Sequence, residues 1–271
     1  MTAAALLLIL AAAISLAMTT VWYAVVKGAT SGWVDTVWSF LVGAAGVAAA
    51  LAPITGWEGD WQRRLLVAAI AAAWSCRLGL HILSRTLKGG EDPRYEKLQA
   101  EWGENRRSRL FLFLQIQAGA ALLLTATIFI AARNPAPGLQ WSDIAGVAIL
   151  IVAVTGEGVA DMQLARFRAD SANEGKVCDI GLWSLSRHPN YFFQWLGWTG
   201  YAVIAIGPAG DWVWGWLALA GPAFMYWLLV HISGIPPLEA HMTRSRGKAY
   251  ADYAGRVNAF WPGPQKKEHT T

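Results

Sequence analysis

The chain has 271 residues, of which 55% are hydrophobic and only 15% charged, whereas charged residues make up about a quarter of an ordinary soluble domain. That composition excludes a disordered chain and argues against a soluble globular enzyme. The formal net charge of +4 calls for no nucleic-acid partner: basic residues facing anionic membrane lipid account for it, and a bound anionic cofactor is compatible with the same charge.

Roughly 20 apolar residues cross the hydrocarbon core of a bilayer, and seven runs approach that length. The first, Ala3 to Val26, is uncharged and lacks the basic start and small-residue cleavage site of a secretory signal, which predicts a retained helix. The second, about Trp33 to Pro53, carries Asp35, and the third, about Leu65 to Leu83, carries Arg77 and His81. A polar stretch from Arg85 to Arg109 includes Glu91-Asp92-Pro93-Arg94-Tyr95. The fourth run, about Leu110 to Ala132, stops at the breaker cluster Asn134-Pro135-Ala136-Pro137-Gly138. The fifth, about Ile144 to Leu164, holds Glu157 and Asp161; a polar loop from Arg166 to Pro189 leads to the sixth, Tyr191 to Ile206, and the seventh is about Trp212 to Ile232. The segment Glu239 to Arg256 is polar enough for a helix on the membrane surface or across the end of the bundle, and residues 263–271 form a polar tail. The expectation is an all-α polytopic membrane protein of about seven transmembrane helices, folded as a single integral membrane domain and monomeric. Sixteen tryptophans fit that environment, because indole rings favour the membrane interface. Cys76 and Cys178 are too few for a disulfide framework and form no CxxC pair.

Lys and Arg concentrate in cytoplasmic loops. With seven spans, 18 of the 22 basic residues fall on one side, three (Arg63, Arg64, Arg133) on the other, and Arg77 inside a span. The split predicts a cytoplasmic C-terminus.

Ionisable groups inside spans are costly and mark candidate functional sites. Glu157 and Asp161 are four apart and share a helix face, with Arg168 seven further on if the helix continues; they form either a polar cavity wall or an interhelical ion-pair network. Arg77, His81 and Arg85 recur every four residues, a stripe about 12 Å long at 1.5 Å per residue. Three cations in one stripe need anionic partners, which Asp35, Glu157 and Asp161 can supply. Taken singly, Arg85 also reads as a side chain snorkelling to the interface and His81 as a neutral histidine bonded within the bundle. His231, Glu239 and His241 do not share a helix face and Pro236-Pro237 interrupts them, so no metal site is expected.

The segment Gly181-Leu182-Trp183-Ser184-Leu185-Ser186-Arg187-His188-Pro189-Asn190-Tyr191 puts a polar cluster at the mouth of a span, with Pro189 where a helix's first turn tolerates it. Arg187, His188, Asn190 and the free N–H groups of the helix end can bind phosphate or carboxylate. A plain structural turn is the competing reading.

The same segment carries a resemblance. Arg187 to Phe192, with Gly181-Leu182-Trp183 before it, Pro237-Leu238-Glu239 later and Tyr250-Ala251-Asp252-Tyr253 near the end, resemble the steroid 5α-reductase superfamily. The chain is most similar to its bacterial branch of uncharacterised reductase-like membrane proteins. The pattern runs through Asp35 and Trp38, Arg77 to His81 with Arg85, Glu91 to Tyr95, Glu157 with Ala160 to Arg168, and the C-terminal stretch to Pro262, covering about residues 33–262. The resemblance implies a seven-helix membrane reductase of the 3-oxo-5α-steroid 4-dehydrogenase type. It implies a bacterial inner-membrane enzyme that takes NADPH from the cytosolic side and reduces a carbon-carbon double bond conjugated to a carbonyl. Asp161, Arg168, Asn190 and Tyr253 match cofactor-contacting positions, Lys176 stands where the steroid enzymes place an arginine, and Arg85 matches the arginine of a related segment. With Glu157, Arg187, His188, Tyr191, Glu239 and Tyr250 they make up the implied cofactor set. Ile82 stands where the steroid enzymes have the tyrosine that polarises the substrate ketone, and no glutamine-glutamate pair lies next to Asp35.

Hydride adds to the β-carbon of an enone only if the charge growing on the carbonyl oxygen is stabilised, and a proton must then reach the α-carbon. Asp35 and His81 are the expected catalytic residues, and Trp38 and Arg77 the expected contacts to a lipophilic substrate such as a sterol, polyprenyl or unsaturated acyl compound. The rival enzyme is an S-adenosylmethionine-dependent methyltransferase of the isoprenylcysteine or phospholipid type, which shares a basic His-Pro-x-Tyr turn followed by an acid and aromatics. A transporter is the non-enzymatic alternative, but the paired repeats common in such proteins are not seen.

Overall fold

The computed structural model describes residues 1–89 and 91–266, and these are all-α. Lys267 and the rest of the polar tail lie outside the described residues. The chain divides into two compact units, one made of Met1–Ile144 with Tyr201–Ala220, the other of Ala145–Gly200 with the residues from Gly221 onward.

The first unit is built on α1 (Ala3–Val26), α2 (Gly32–Leu51), α3 (Trp61–Thr86), α4 (Pro93–Trp102) and α5 (Arg106–Ala132). Side-chain caps set several starts: the Thr2 hydroxyl accepts from the Ala5 N–H, and the Asp60 and Asp92 carboxylates accept from the first turns of α3 and α4. Helix α2 packs against α1, α3 and α5. The approaches to α3 and α5 are close because residues of α2 are small: a Cβ on Gly43 would overlap the Ser75 side chain of α3, and one on Gly46 would lie 2.7 Å from Ile128 of α5. In lipid, where apolar burial does not drive helices together, such small-residue seams supply the packing.

Arg63, Arg64 and Arg133, counted above as loop charge, are structural. Arg63 forms a bidentate pair with Asp143 at 2.8 Å, both side chains 1% exposed, and its remaining donors reach the carbonyls of Asn134, Ala136 and Gly138 in the breaker cluster. Breaking a buried pair of this kind by removing one partner costs about 3–5 kcal/mol. Arg64 donates to the carbonyls of Ala50, Leu51 and Ala52, and Arg133 to those of Ala49 and Ala52. Two guanidiniums thus satisfy the carbonyls that the end of α2 leaves open, where the helix dipole favours cations.

In the second unit α6 (Trp141–Ala169, from Ala145 on) is joined by α7 (Pro189–Ile206, as far as Gly200), α8 (Ala220–Trp227, from Gly221), α9 (Ile235–Arg246) and α10 (Lys248–Arg256). A Cβ on Gly156 of α6 would strike the Phe193 ring of α7. Helix α6 continues to Ala169, so Asp161 and Arg168 lie on one helix. The polar C-terminal segment is two helices, because Gly247 sits at φ +51°, a region a side chain rarely enters. Tyr250 and Tyr253 of the last helix and Val257 just after it bury themselves against Val177 and Met242.

Six helical segments are long and apolar enough to cross a membrane among the described residues: α1, α2, α3, Arg94–Ala132, α6 and Val213–Arg246. The protein is therefore a polytopic membrane protein. The seven-run expectation differs at Tyr191 to Ile206, which is helical but less apolar, since Asn190, Gln194, Gly197, Thr199 and Gly200 interrupt its hydrophobic residues. The last expected run is not one α-helix: it opens as a 3-10 helix over Val213–Leu219, becomes α8 near Pro222, and widens to a π-turn over Leu228–Ile232. A proline there removes an N–H from the helical ladder.

Candidate functional site

Each unit gathers one polar cluster. In the first, Asp35 lies in the opening turn of α2, half-buried. Its Oδ1 accepts from the Tyr95 hydroxyl at 2.9 Å and its Oδ2 from the Arg94 guanidinium at 2.5 Å. The Gln117 amide of α5 donates to the same Tyr95 oxygen at 3.0 Å. Trp38, one turn after Asp35, donates from Nε1 to the Gln117 carbonyl at 2.9 Å. Tyr95 is 3% exposed, with its ring edge-on to Phe113, so a buried phenol is held between a carboxylate and a carboxamide.

The segment that delivers Arg94 and Tyr95 is tied down at its start. Glu91 accepts from the N–H and hydroxyl of Ser31, the Asp92 N–H donates to the Ser31 hydroxyl, and Asp92 caps α4 through the Arg94 N–H. The Asp92 carboxylate also pairs with Arg94 at 2.9 Å and Arg85 at 3.8 Å. Burial pushes the Asp92 carboxyl up, but the hydrogen bonds and charge of Arg94, with the Arg85 charge beyond, outweigh burial and hold it below its ordinary value.

These contacts revise the expected pairing, in which Asp35, Glu157 and Asp161 partner the cations Arg77, His81 and Arg85 of α3: Asp35 pairs with Arg94 and Arg85 with Asp92. Arg77 is half-buried on α3, whereas His81 and Arg85 are exposed.

The second cluster surrounds the turn into α7. The Trp183 indole donates to the Ala160 carbonyl of α6 at 2.9 Å, and Gln163 accepts from the Leu182 N–H, docking the Gly181 turn on α6. The Ser186 hydroxyl donates to the Phe260 carbonyl, and the Arg187 N–H to the Asn258 carbonyl at 2.8 Å. The Arg187 side chain donates from Nε to Glu239 at 2.7 Å and from Nη1 to the carbonyls of Ala254 and Val257. His188 is buried, its Nε2 lies 3.2 Å from the same Glu239 oxygen, and its ring stacks on Tyr191 at 5.6 Å. Burial works against the Arg187 charge, but Glu239 more than offsets it and raises the guanidinium above its ordinary value. The Asn190 amide donates to Asp161 at 3.3 Å.

Of the expected cofactor set, the structure thus brings together Arg187, His188, Glu239 and Tyr191, and separately Asp161 with Asn190. The Tyr250 hydroxyl lies beside Glu239 and Arg187 yet is aligned with neither for a hydrogen bond, and burial first, then the Glu239 charge, pushes its proton affinity up. Tyr253 is committed to structure, donating to the Trp183 carbonyl at 2.6 Å; burial raises its hydroxyl too. Glu157 is buried on α6, while Arg168 and Lys176 are exposed. No group of three His, Cys, Asp or Glu among the described residues is placed to hold a metal ion.

Arg94, Tyr95 and Gln117 were missed as site residues. The first two belong to the Glu91 to Tyr95 motif of the polar stretch, to which the sequence assigns no site role; Gln117, an amide inside an apolar run, is the available signal.

No curated protein and no solved structure matches the chain. Residues 21–257 match the family described as "Protein of unknown function (DUF1295)". With most of its length covered by that match and six helical segments able to cross a membrane, the chain belongs to the DUF1295 family of membrane proteins.

Proposed function

We propose that this protein is a membrane-embedded NADPH-dependent reductase acting on a carbon-carbon double bond conjugated to a carbonyl in a lipophilic substrate. The observation that carries the reading is the buried Tyr95 hydroxyl, held by Asp35 and Gln117 beside Trp38. The phenol has a single O–H, which Asp35 accepts; a substrate carbonyl that takes the place of Asp35 as its acceptor receives that hydrogen bond as negative charge grows on the oxygen during reduction. Tyr95 takes the proton-donating role. Asp35, engaged by the Arg94 guanidinium, is an acceptor that orients the phenol, and Gln117 fixes the phenol oxygen from the other side. On this reading Tyr95 is an acid close to α2, and the apolar Ile82 does not remove that role.

The second unit's residues fit the cofactor. Arg166, Arg168 and Lys176 are exposed cations suited to phosphate. Asp161, Asn190, Glu239 and the Tyr250 hydroxyl, whose hydrogen bond is open among the described residues, suit ribose and amide groups. When bound, NADPH supplies the hydride.

Thermal unfolding of the detergent-solubilised protein tests the assignment. NADPH at a hundred times its dissociation constant adds about 2.7 kcal/mol to stability. Stabilisation by S-adenosylmethionine without any by NADPH overturns the reductase reading in favour of a methyltransferase.

A further inference from the structure

Three tryptophans from distant parts of the sequence meet at one end of the first unit. Trp57, between α2 and α3, faces Trp212 and Trp214 at ring-centroid distances of 5.8 and 5.9 Å, with ring planes at 69° and 51° to its own. The rings meet edge-on or tilted rather than stacked. They border a cavity of about 590 Å³ lined also by Glu58, Asp60, Arg133, Pro135 and Pro137, within the usual size range of small-molecule sites.

The charges of this cavity select the ligand. Arg133 is 2% exposed; its terminal nitrogens donate to the carbonyls of Ala49, Ala52, Trp57 and Glu58, its Nε has no partner among the described residues, and its positive charge stays close to Glu58. Asp60 is occupied by the N–H groups of Gly138, Gln62 and Arg63. Glu58 is exposed, accepts one N–H from Gly56, and forms no ion pair among the described residues. The charged lining is thus one guanidinium against two carboxylates, a net single negative charge, and Glu58 is the exposed carboxylate beside the tryptophans. Indole faces attract organic cations, and aromatic walls with a nearby acid are a recurrent way of binding ammonium groups.

We propose that this cavity binds an organic ammonium group, of the kind carried by choline or ethanolamine, with Trp57, Trp212 and Trp214 as its walls and Glu58 as counter-ion. The same cation can arrive on a lipid headgroup or as a free amine. The site shares no residue with those assigned to reduction, and its test uses no NADPH.

Wild-type protein in phosphatidylglycerol nanodiscs is titrated with choline chloride by calorimetry, with sodium chloride as the control. Saturable binding of choline alone is expected. Glu58→Gln and Trp214→Ala each weaken it about tenfold, on the scale of a desolvated cation–π contact, and Trp214→Phe, which keeps a ring, weakens it less. Both positions are exposed, so the fold tolerates the changes, which the unfolding midpoint verifies. Loss of choline binding in phosphatidylethanolamine nanodiscs supports a lipid headgroup as the source, and equal binding in both lipids supports a free amine. Absence of saturable choline binding in the wild type, or binding unchanged in both variants, overturns the proposal.

Discussion

Tyr95 owes its proposed chemistry to three neighbours from separate helices: Asp35 on α2, Arg94 beside it on α4 and Gln117 on α5. Tyr95→Phe keeps the ring and its packing against Phe113 and removes only the hydroxyl. With general acid catalysis contributing about 10²–10⁴-fold, this variant loses enone-dependent NADPH oxidation by at least about a hundredfold while NADPH still stabilises the protein; unchanged turnover excludes Tyr95 as the acid. Asp92 yields a pH prediction. Its carboxyl lies below its ordinary value in the folded protein, so it contributes stability that is complete above the unfolded value of about 3.9 and is lost as pH falls through the lower folded value. Asp92→Asn retains a helix cap but no charge. The wild type is therefore the more stable of the two at pH 6, and the difference in unfolding midpoint closes below about pH 4.

At the scale of elements, close helix approach is set by missing side chains. Gly43 of α2 faces Ser75 of α3 with no room for a methyl group, so Gly43→Ala forces the helices apart and costs about 1–3 kcal/mol. Gly119 of α5 has nothing within 4 Å of its would-be Cβ, and Gly119→Ala is neutral or stabilising by up to about 1 kcal/mol from helix propensity alone. Thermal unfolding in detergent reads both, and equal effects would show that the seam is not what holds α2 to α3. The helix bodies were legible in the sequence because hydropathy runs and breakers are local signals: the Asn134 to Gly138 cluster ends α5, whereas the break at Gly247, in a segment expected as one helix, came from the structure. The 3-10 and π irregularities over Val213–Ile232 were not, since an apolar run reads the same whatever its hydrogen-bond period.

Across the whole molecule, α7 sets the number of membrane crossings. Its 18 residues rise about 27 Å, close to the roughly 30 Å hydrocarbon core, although it is less apolar than the six segments that qualify on composition. If α7 crosses, the termini lie on opposite sides of the membrane, with the C-terminus cytoplasmic as the basic-residue asymmetry predicts. Reporters fused at either end check this: a C-terminal reporter active in the cytoplasm with an N-terminal one active outside supports seven crossings, and both on one side gives an even number.

The sequence by itself determined the membrane class, the positions of most of the helical runs and the placing of Arg187, His188 and Asn190 around one turn, because composition, periodicity and breaker residues act over a few neighbouring positions. Only the tertiary structure decided which charges are partners. Arg63 reaches Asp143 across 80 residues, Asp35 reaches Tyr95 across 60, and Tyr95 is reached by Gln117 from a third helix. In a chain with so few charges inside its spans, each must find a partner to be buried at all, and that partner is chosen by which helix faces pack together rather than by distance along the sequence.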